Sequence, residues 1–175
     1  MIINFLRTDK RASFILLFLR VYLGYTWISA GISKLTGGDS FDASGFLKSA
    51  ITKTSGAHPM VQGWWADFLQ HFALPNAELF SFFVQWGEIF VGLGLILGGL
   101  TKTAAFFGIT MNLSYLLSGA IATNPNMIIL TMIILVAGYN AGHIGLDGYV
   151  FQKLFHKHPY KAYDFKKTGI YINNN

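Results

Sequence analysis

Four long apolar blocks, separated by short polar breaks, dominate the chain. They run from about Ser13 to Ser33, Ala77 to Leu100, Thr103 to Ala122 and Asn126 to Gly145. Each approaches the roughly 20 residues that an α-helix needs to cross a bilayer. The pattern predicts an all-α fold, an integral membrane four-helix bundle. The second and third blocks are joined by a few residues around Thr101 and Lys102. The third and fourth are joined by Thr123-Asn124-Pro125-Asn126, a turn with proline as helix breaker. Connections this short make consecutive helices antiparallel neighbours. Arg7, Lys10 and Arg11 precede the first block in the manner of a signal peptide. The block is longer than a usual h-region of about 7–15 residues, and Arg20 interrupts it, so a retained helix is expected.

The segment from about residue 36 to 76 is too long for a plain turn. Phe41, Phe46, Leu47, Ala50 and Ile51 recur at helical spacing behind Asp42 or Ser44 as a cap. After a break from Thr54 to Pro59, Trp64, Trp65, Phe68, Leu69 and Phe72 form a second amphipathic piece. Aromatic rings of this kind settle in the headgroup layer. Two short amphipathic helices are expected to lie on the outer surface and lid the bundle, either closing a ligand site or serving as a packed cap with no ligand role.

Composition narrows the class. Of 175 residues, 53% are hydrophobic and only 12% charged, about half the charged content of a soluble domain. A soluble cytosolic enzyme is excluded, and 16% aromatic residues exclude disorder. Cysteine is absent, so no disulfide, thiol redox centre, iron–sulfur ligand set or cysteine zinc site can form. The net charge is +5, but the basic residues flank apolar blocks and form no folded basic face, so nucleic acid is not an expected partner. Their placement sets topology. With the N-terminus in the cytoplasm, Arg7, Lys10, Arg11 and Lys102 fall inside, as do Lys153, Lys157, Lys161, Lys166 and Lys167. Only Lys34, Lys48 and Lys53 fall outside, nine against three, a positive-inside bias. Both termini are expected in the cytoplasm of a bacterial-type inner membrane. Residues 36–76 then form an extracytoplasmic cap, and residues 150–175 a basic tail suited to the anionic inner leaflet.

Ionisable groups within a bilayer usually face the protein interior. Arg20 is expected roughly 10 Å deep and Glu88 near the midplane, about 6 Å apart in depth, which makes an Arg20–Glu88 pair a natural inference. Three readings stand: the pair pins two helices, it forms a polar site for a quinone or other head group, or Arg20 snorkels to the inner interface. Polar residues and glycines share helical faces: Arg20, Gly24, Trp27 and Gly31; Gln85, Glu88, Gly92 and Gly99; Gly108, Asn112, Tyr115 and Gly119; Gly138, Gly142, Tyr139 and His143. Gly94-x-x-x-Gly98 and Gly138-x-x-x-Gly142 are small-residue pairs that suit close helix packing. Asp147 follows His143 at i+4, so the two are placed to face each other, and with Arg20 they suggest an inner-side proton route. The scattered histidines give no expected haem or zinc site, and no metal is expected.

Three motifs carry a resemblance: Arg20-x-x-x-Gly24 with Ala30-Gly31-Ile32-x-Lys34-Leu35, Glu88-x-x-x-Gly92-x-x-Leu95-Ile96-Leu97-Gly98-Gly99-Leu100-Thr101, and Gly142-x-x-Gly145-Leu146-Asp147. In this order the chain resembles the DoxX/DoxD-like membrane proteins, which include the small subunit of thiosulfate:quinone oxidoreductase. The resemblance covers roughly residues 13–150, and the long outer segment looks more like the DoxD-type subset. It implies a four-helix membrane bundle linked to redox work, with Arg20, Lys34, Glu88 and Asp147 as the polar residues of the shared motifs. Without cysteine, a covalent thiosulfonate or persulfide step would need a partner subunit.

The leading expectation is a quinone-linked membrane redox protein, a subunit of an oxidoreductase or of a quinone or oxidative-stress detoxification system. Quinone is the expected cofactor. Arg20 would hydrogen-bond a ring oxygen and Glu88 would exchange protons. Trp27, Lys34, Gln85, Asn112, Tyr115, His143 and Asp147 would complete the substrate site, with Lys34 and Trp64–Trp65 closing the outer mouth. Expected partners are the lipid bilayer, a soluble or membrane oxidoreductase subunit, and a second copy of the chain. The rivals are a non-catalytic membrane scaffold or assembly partner, and a small-molecule transporter.

Overall fold

The computed structural model of the chain describes residues 1–37 and 41–154. They form α1 (Ile2–Thr8), α2 (Lys10–Thr36), α3 (Ala43–Thr52), α4 (Gly63–Phe68), α5 (Ala77–Leu97), α6 (Thr101–Leu117), α7 (Asn124–Ala137), α8 (Tyr139–Gly142) and α9 (Leu146–Leu154). Among the described residues there is no strand. Most of the expected basic tail, including His156 and His158, lies outside the described residues; its first residues belong to α9.

Two helical runs are long and apolar enough to cross a membrane, Lys10–Thr36 and Gly63–Leu97. The second is longer than the expected 77–100 because α4 runs into α5 through a widened turn at Leu69–Ala73 and a tight turn at Leu74–Asn76. Pro75 lies in that tight turn, where its missing N–H and its ring accommodate a change of helical pitch. The third and fourth blocks are shorter than expected. The α7 helix is apolar but has 14 residues, about 21 Å at 1.5 Å per residue. Pro125 was expected to break the chain, yet it lies in the first turn of α7, where a proline costs no hydrogen bond. The break falls earlier, at Ser118–Thr123. The fourth block also ends early, at Ala137, because Gly138 adopts φ +64° and stops the helix.

The α2 helix packs on α5, α5 on α6, and α6 on α7, while α2 also meets α7 and α8. The first crossing is the tightest. A Cβ on Gly24 would stand 2.8 Å from the Gly92 carbonyl, and one on Gly31 would stand 3.0 Å from the Gln85 carbonyl. Glycines on these faces therefore let the two backbones touch, as the stripes predicted. Gly98 and Gly138 end helices with positive φ, while Gly94 and Gly98 also allow close packing, Gly94 on Ala104 of α6 and Gly98 on Arg20 of α2.

Leu16, Leu23, Trp27, Leu95 and Ile134 form the bundle core. The faces turned away from it are apolar too: Phe18 is 73% exposed and Phe90 63% exposed. Burying such residues in lipid removes apolar area from water, whereas a soluble helix would carry polar groups there. The cap has its own small core of Leu47, Ala50, Leu69 and Ala73. It docks on α5 through the Ala43 N–H, which donates to Ser81 Oγ at 2.8 Å. Asp42 caps α3 by accepting from the Ser44 N–H at 2.8 Å and from the Ser44 hydroxyl. Those bonds hold the Asp42 carboxyl below the usual carboxylate range.

Candidate functional site

Arg20 and Glu88 do not meet. The contacts of Gly24 with Gly92 and of Gly31 with Gln85 and Glu88 set the register of α2 on α5. Glu88 is level with residues 30–31, about ten residues or roughly 15 Å from Arg20 along the helix. The expected offset of about 6 Å assumed that α5 enters the bundle near Ala77. Arg20 instead stands against Gly98 at the C-terminal end of α5, ten residues beyond Glu88. Two polar clusters result, one at each end of the crossing.

At one end Arg20 is 1% exposed. Its Nη1 and Nη2 donate to the carbonyl oxygens of Ala141 and Ile144, each at 2.8 Å. Asp147 supplies a compensating negative charge nearby. The Asp147 carboxylate accepts from the N–H groups of Leu100 at 2.7 Å and Thr101 at 2.8 Å. It thereby caps α6, and its own N–H donates to Gly98 O at 2.7 Å. This corrects the expected His143–Asp147 pairing: both oxygens of Asp147 are engaged by backbone, and the His143 ring stands edge-on to Tyr139 at 5.9 Å. Gly98 holds the turn at φ +64° directly against the Arg20 guanidinium. The cluster ties α2, the α5–α6 turn and the start of α9 together. Both Arg20 Nη atoms and both Asp147 oxygens are spent on the backbone, which is a structural role, while Arg20 Nε and Thr101 Oγ1 are buried without a partner.

At the other end Lys34 Nζ donates to Glu88 Oε1 at 2.9 Å and Oε2 at 2.7 Å. The Tyr115 hydroxyl donates to Glu88 Oε1 at 2.9 Å. Glu88 is 2% exposed, and a buried carboxylate needs such partners. Lys34 reaches it from the last turn of α2, where its charge also suits the helix C-terminus. Gln85 Nε2 donates to the Lys34 carbonyl at 3.2 Å, which closes that helix end beside the site.

Glu88, Lys34 and Tyr115 line one cavity of about 510 Å³ together with Trp27 and Asn112. The size falls in the usual range of about 300–1,000 Å³ for small-molecule sites. Its walls are aromatic and aliphatic: Phe41, Phe46 and Leu47 from the α3 region, Trp65 and Phe68 from α4. The roof is pinned where Trp65 Nε1 donates to Ser118 Oγ at 2.9 Å, and Phe46 meets the Tyr115 ring edge-on at 6.0 Å. Trp64, expected beside Trp65 at the mouth, is exposed and bonds Gln62. Ser118 was not foreseen; a lone serine near a helix end carries no signal until its partner is known.

Two of the lining residues carry polar atoms buried without a partner: Asn112 Nδ2, Asn112 Oδ1 and Trp27 Nε1. Asn112 is fully buried and Trp27 is 2% exposed. Trp27 Nε1 lies against Gly108, one turn before Asn112 on α6; a Cβ there would stand 3.4 Å from it. Native proteins rarely leave such groups unpaired, since each costs about 1–3 kcal/mol. Five of the expected site residues are thus brought together, Gln85 borders them, and Arg20, His143 and Asp147 lie at the other end. Among the described residues no group of three or more histidine, aspartate and glutamate side chains is placed to hold a metal.

The DoxX family model matches residues 15–118, more than half of the chain. No curated protein and no solved structure is matched. The chain belongs to the DoxX family and is a membrane protein.

Proposed function

We propose that this DoxX-family protein binds a quinone-class ring in its outer cavity and serves quinone-linked redox metabolism. One observation carries the reading: Asn112 and Trp27, which line a cavity with apolar, aromatic walls, carry buried hydrogen-bonding atoms without a partner. A flat, uncharged ring with polar oxygens fits both features, because the walls stack on it and the orphaned atoms bond its edge. A bound quinone supplies two-electron, two-proton chemistry at its ring oxygens. The protein's own groups then divide the work. Asn112 and Trp27 hold the polar edge, the role expected of Arg20. Glu88 Oε1, already the acceptor for Tyr115 and Lys34, is the atom that would hold a transferred proton. Lys34, 24% exposed on its side chain, leads from it toward the outer end.

In this reading α2, α5, α6 and α7 with α8 all cross the bilayer as a multi-pass bundle in a bacterial-type inner membrane. The cap lies outside, and both termini lie in the cytoplasm. The excess of Lys and Arg on the inner connections supports that orientation. The electron donor or acceptor is a partner oxidoreductase subunit, consistent with a chain that has no cysteine. The test is the small-molecule content of protein purified in mild detergent, identified by mass spectrometry. Wild type and Arg20→Lys are expected to retain a quinone, and Asn112→Leu to retain less of it while staying folded. An empty wild type that also fails to take up added duroquinone would refute the proposal and favour a scaffold role.

A further inference from the structure

The balance of donors and acceptors around the cavity selects a redox form. We infer that the site is built for the reduced, hydroxyl-bearing ring, the quinol, in preference to the quinone. This rests on the ring-binding reading above. Two side chains offer uncommitted donors: the Trp27 indole N–H and the Asn112 amide nitrogen. Lys34 adds little, because its ammonium is engaged by both Glu88 oxygens and approaches Ala30 O at 3.5 Å. The acceptors are Asn112 Oδ1, buried and unpaired, and the Tyr115 oxygen, whose proton is already donated to Glu88. That oxygen has only lone pairs left to offer.

A quinone carbonyl only accepts. It can satisfy Trp27 or the Asn112 amide nitrogen, but it leaves Asn112 Oδ1 buried and unpaired. A quinol hydroxyl both accepts and donates, so it satisfies the amide nitrogen or the indole on one side and Asn112 Oδ1 or Tyr115 on the other. Sites built to bond a hydroxyl discriminate against analogues lacking it, because the site's own polar groups are then left unpaired. One unpaired buried acceptor corresponds to about tenfold in affinity. Charge excludes only the ionised ring, since quinone and quinol are both neutral. Glu88 and Lys34 form a neutral pair, so a neutral ligand enters without an uncompensated charge, and an ionised one does not.

The test uses duroquinone and its quinol, durohydroquinone, dialysed anaerobically against the detergent-solubilised full chain. The quinol is expected to bind about tenfold more tightly than the quinone. Asn112→Leu is expected to bring the two affinities together, and so is Tyr115→Phe in part, which provides a second variant if the first does not fold. Equal affinities in wild type, or tighter quinone binding, would overturn the inference and leave the ring-binding reading standing. A preference that survives Asn112→Leu in full would overturn the role given to Asn112. Binding of neither form by folded wild type would overturn both readings.

Discussion

Replacing Lys34 by Met removes the cation beside Glu88 while keeping most of the apolar stem. The carboxylate then keeps only the bond from Tyr115, at 2.9 Å, and loses the two Lys34 bonds at 2.9 and 2.7 Å. Removing one partner of a buried pair costs about 3–5 kcal/mol, since the remaining charge is left uncompensated. Glu88 is 3% exposed on its side chain but Lys34 is 24% exposed. Water can therefore reach the vacated position, which puts the loss near the lower end, about 3 kcal/mol. For a chain of this length that lowers Tm by about 6–12 °C. Thermal unfolding in detergent micelles, followed by tryptophan fluorescence, reads the shift. The double variant Lys34→Met/Glu88→Gln removes both charges and keeps an acceptor for Tyr115, so it should recover more than half of the loss. A Lys34→Met protein as stable as wild type, or a double variant whose loss is the sum of the two single losses, would refute a buried, charge-coupled pair.

Three further outcomes follow from the same geometry. Arg20→Ala should destabilise by about 3 kcal/mol, because the Ala141 and Ile144 carbonyls and Asp147 lose a buried cation; Arg20→Lys, if folded, should bind ring ligands as wild type does, and a selective loss of binding would contradict the structural role. Gly92→Ala should cost about 2 kcal/mol or more by forcing the α2–α5 crossing apart at the Gly24 carbonyl; near-wild-type unfolding would show that the crossing is looser than described. The Asp42 cap should be pH dependent. A carboxyl held below its unfolded value stabilises fully above about pH 4 and loses that contribution as pH falls through its native value. Amide exchange over residues 43–46, corrected for intrinsic rates, should therefore lose protection on acidification in wild type and not in Asp42→Asn.

The apolar blocks were legible because burial in lipid or core demands composition alone, and Glu88 stood out as a charge within one of them. Its partner was not legible. The register of α2 on α5 depends on where glycines let the backbones touch, a long-range property that helix lengths misjudged by about six residues. Lys34 stood out as a polar residue of the first motif, but depth alone pointed Glu88 to Arg20 and gave no pair between Glu88 and Lys34. Pro125 misled for a local reason, since proline both breaks helices and starts them. Gly138 ends α7 through a positive φ that a glycine permits but does not announce. The unpaired atoms of Asn112 and Trp27 could be placed on interior faces from spacing, while their lack of partners required the packed structure.

Photolabelling with an azido-substituted quinone, followed by peptide mapping of the full chain, tests the ring-binding cavity most directly. The label is expected on α2 around Trp27, on α6 around Asn112 and Tyr115, and on the cap around Phe46 and Trp65, with competition by durohydroquinone. Labelling confined to the exposed face of α5 around Phe82 and Phe90, without competition, would contradict the cavity and leave only lipid-like partition into the bilayer-facing surface.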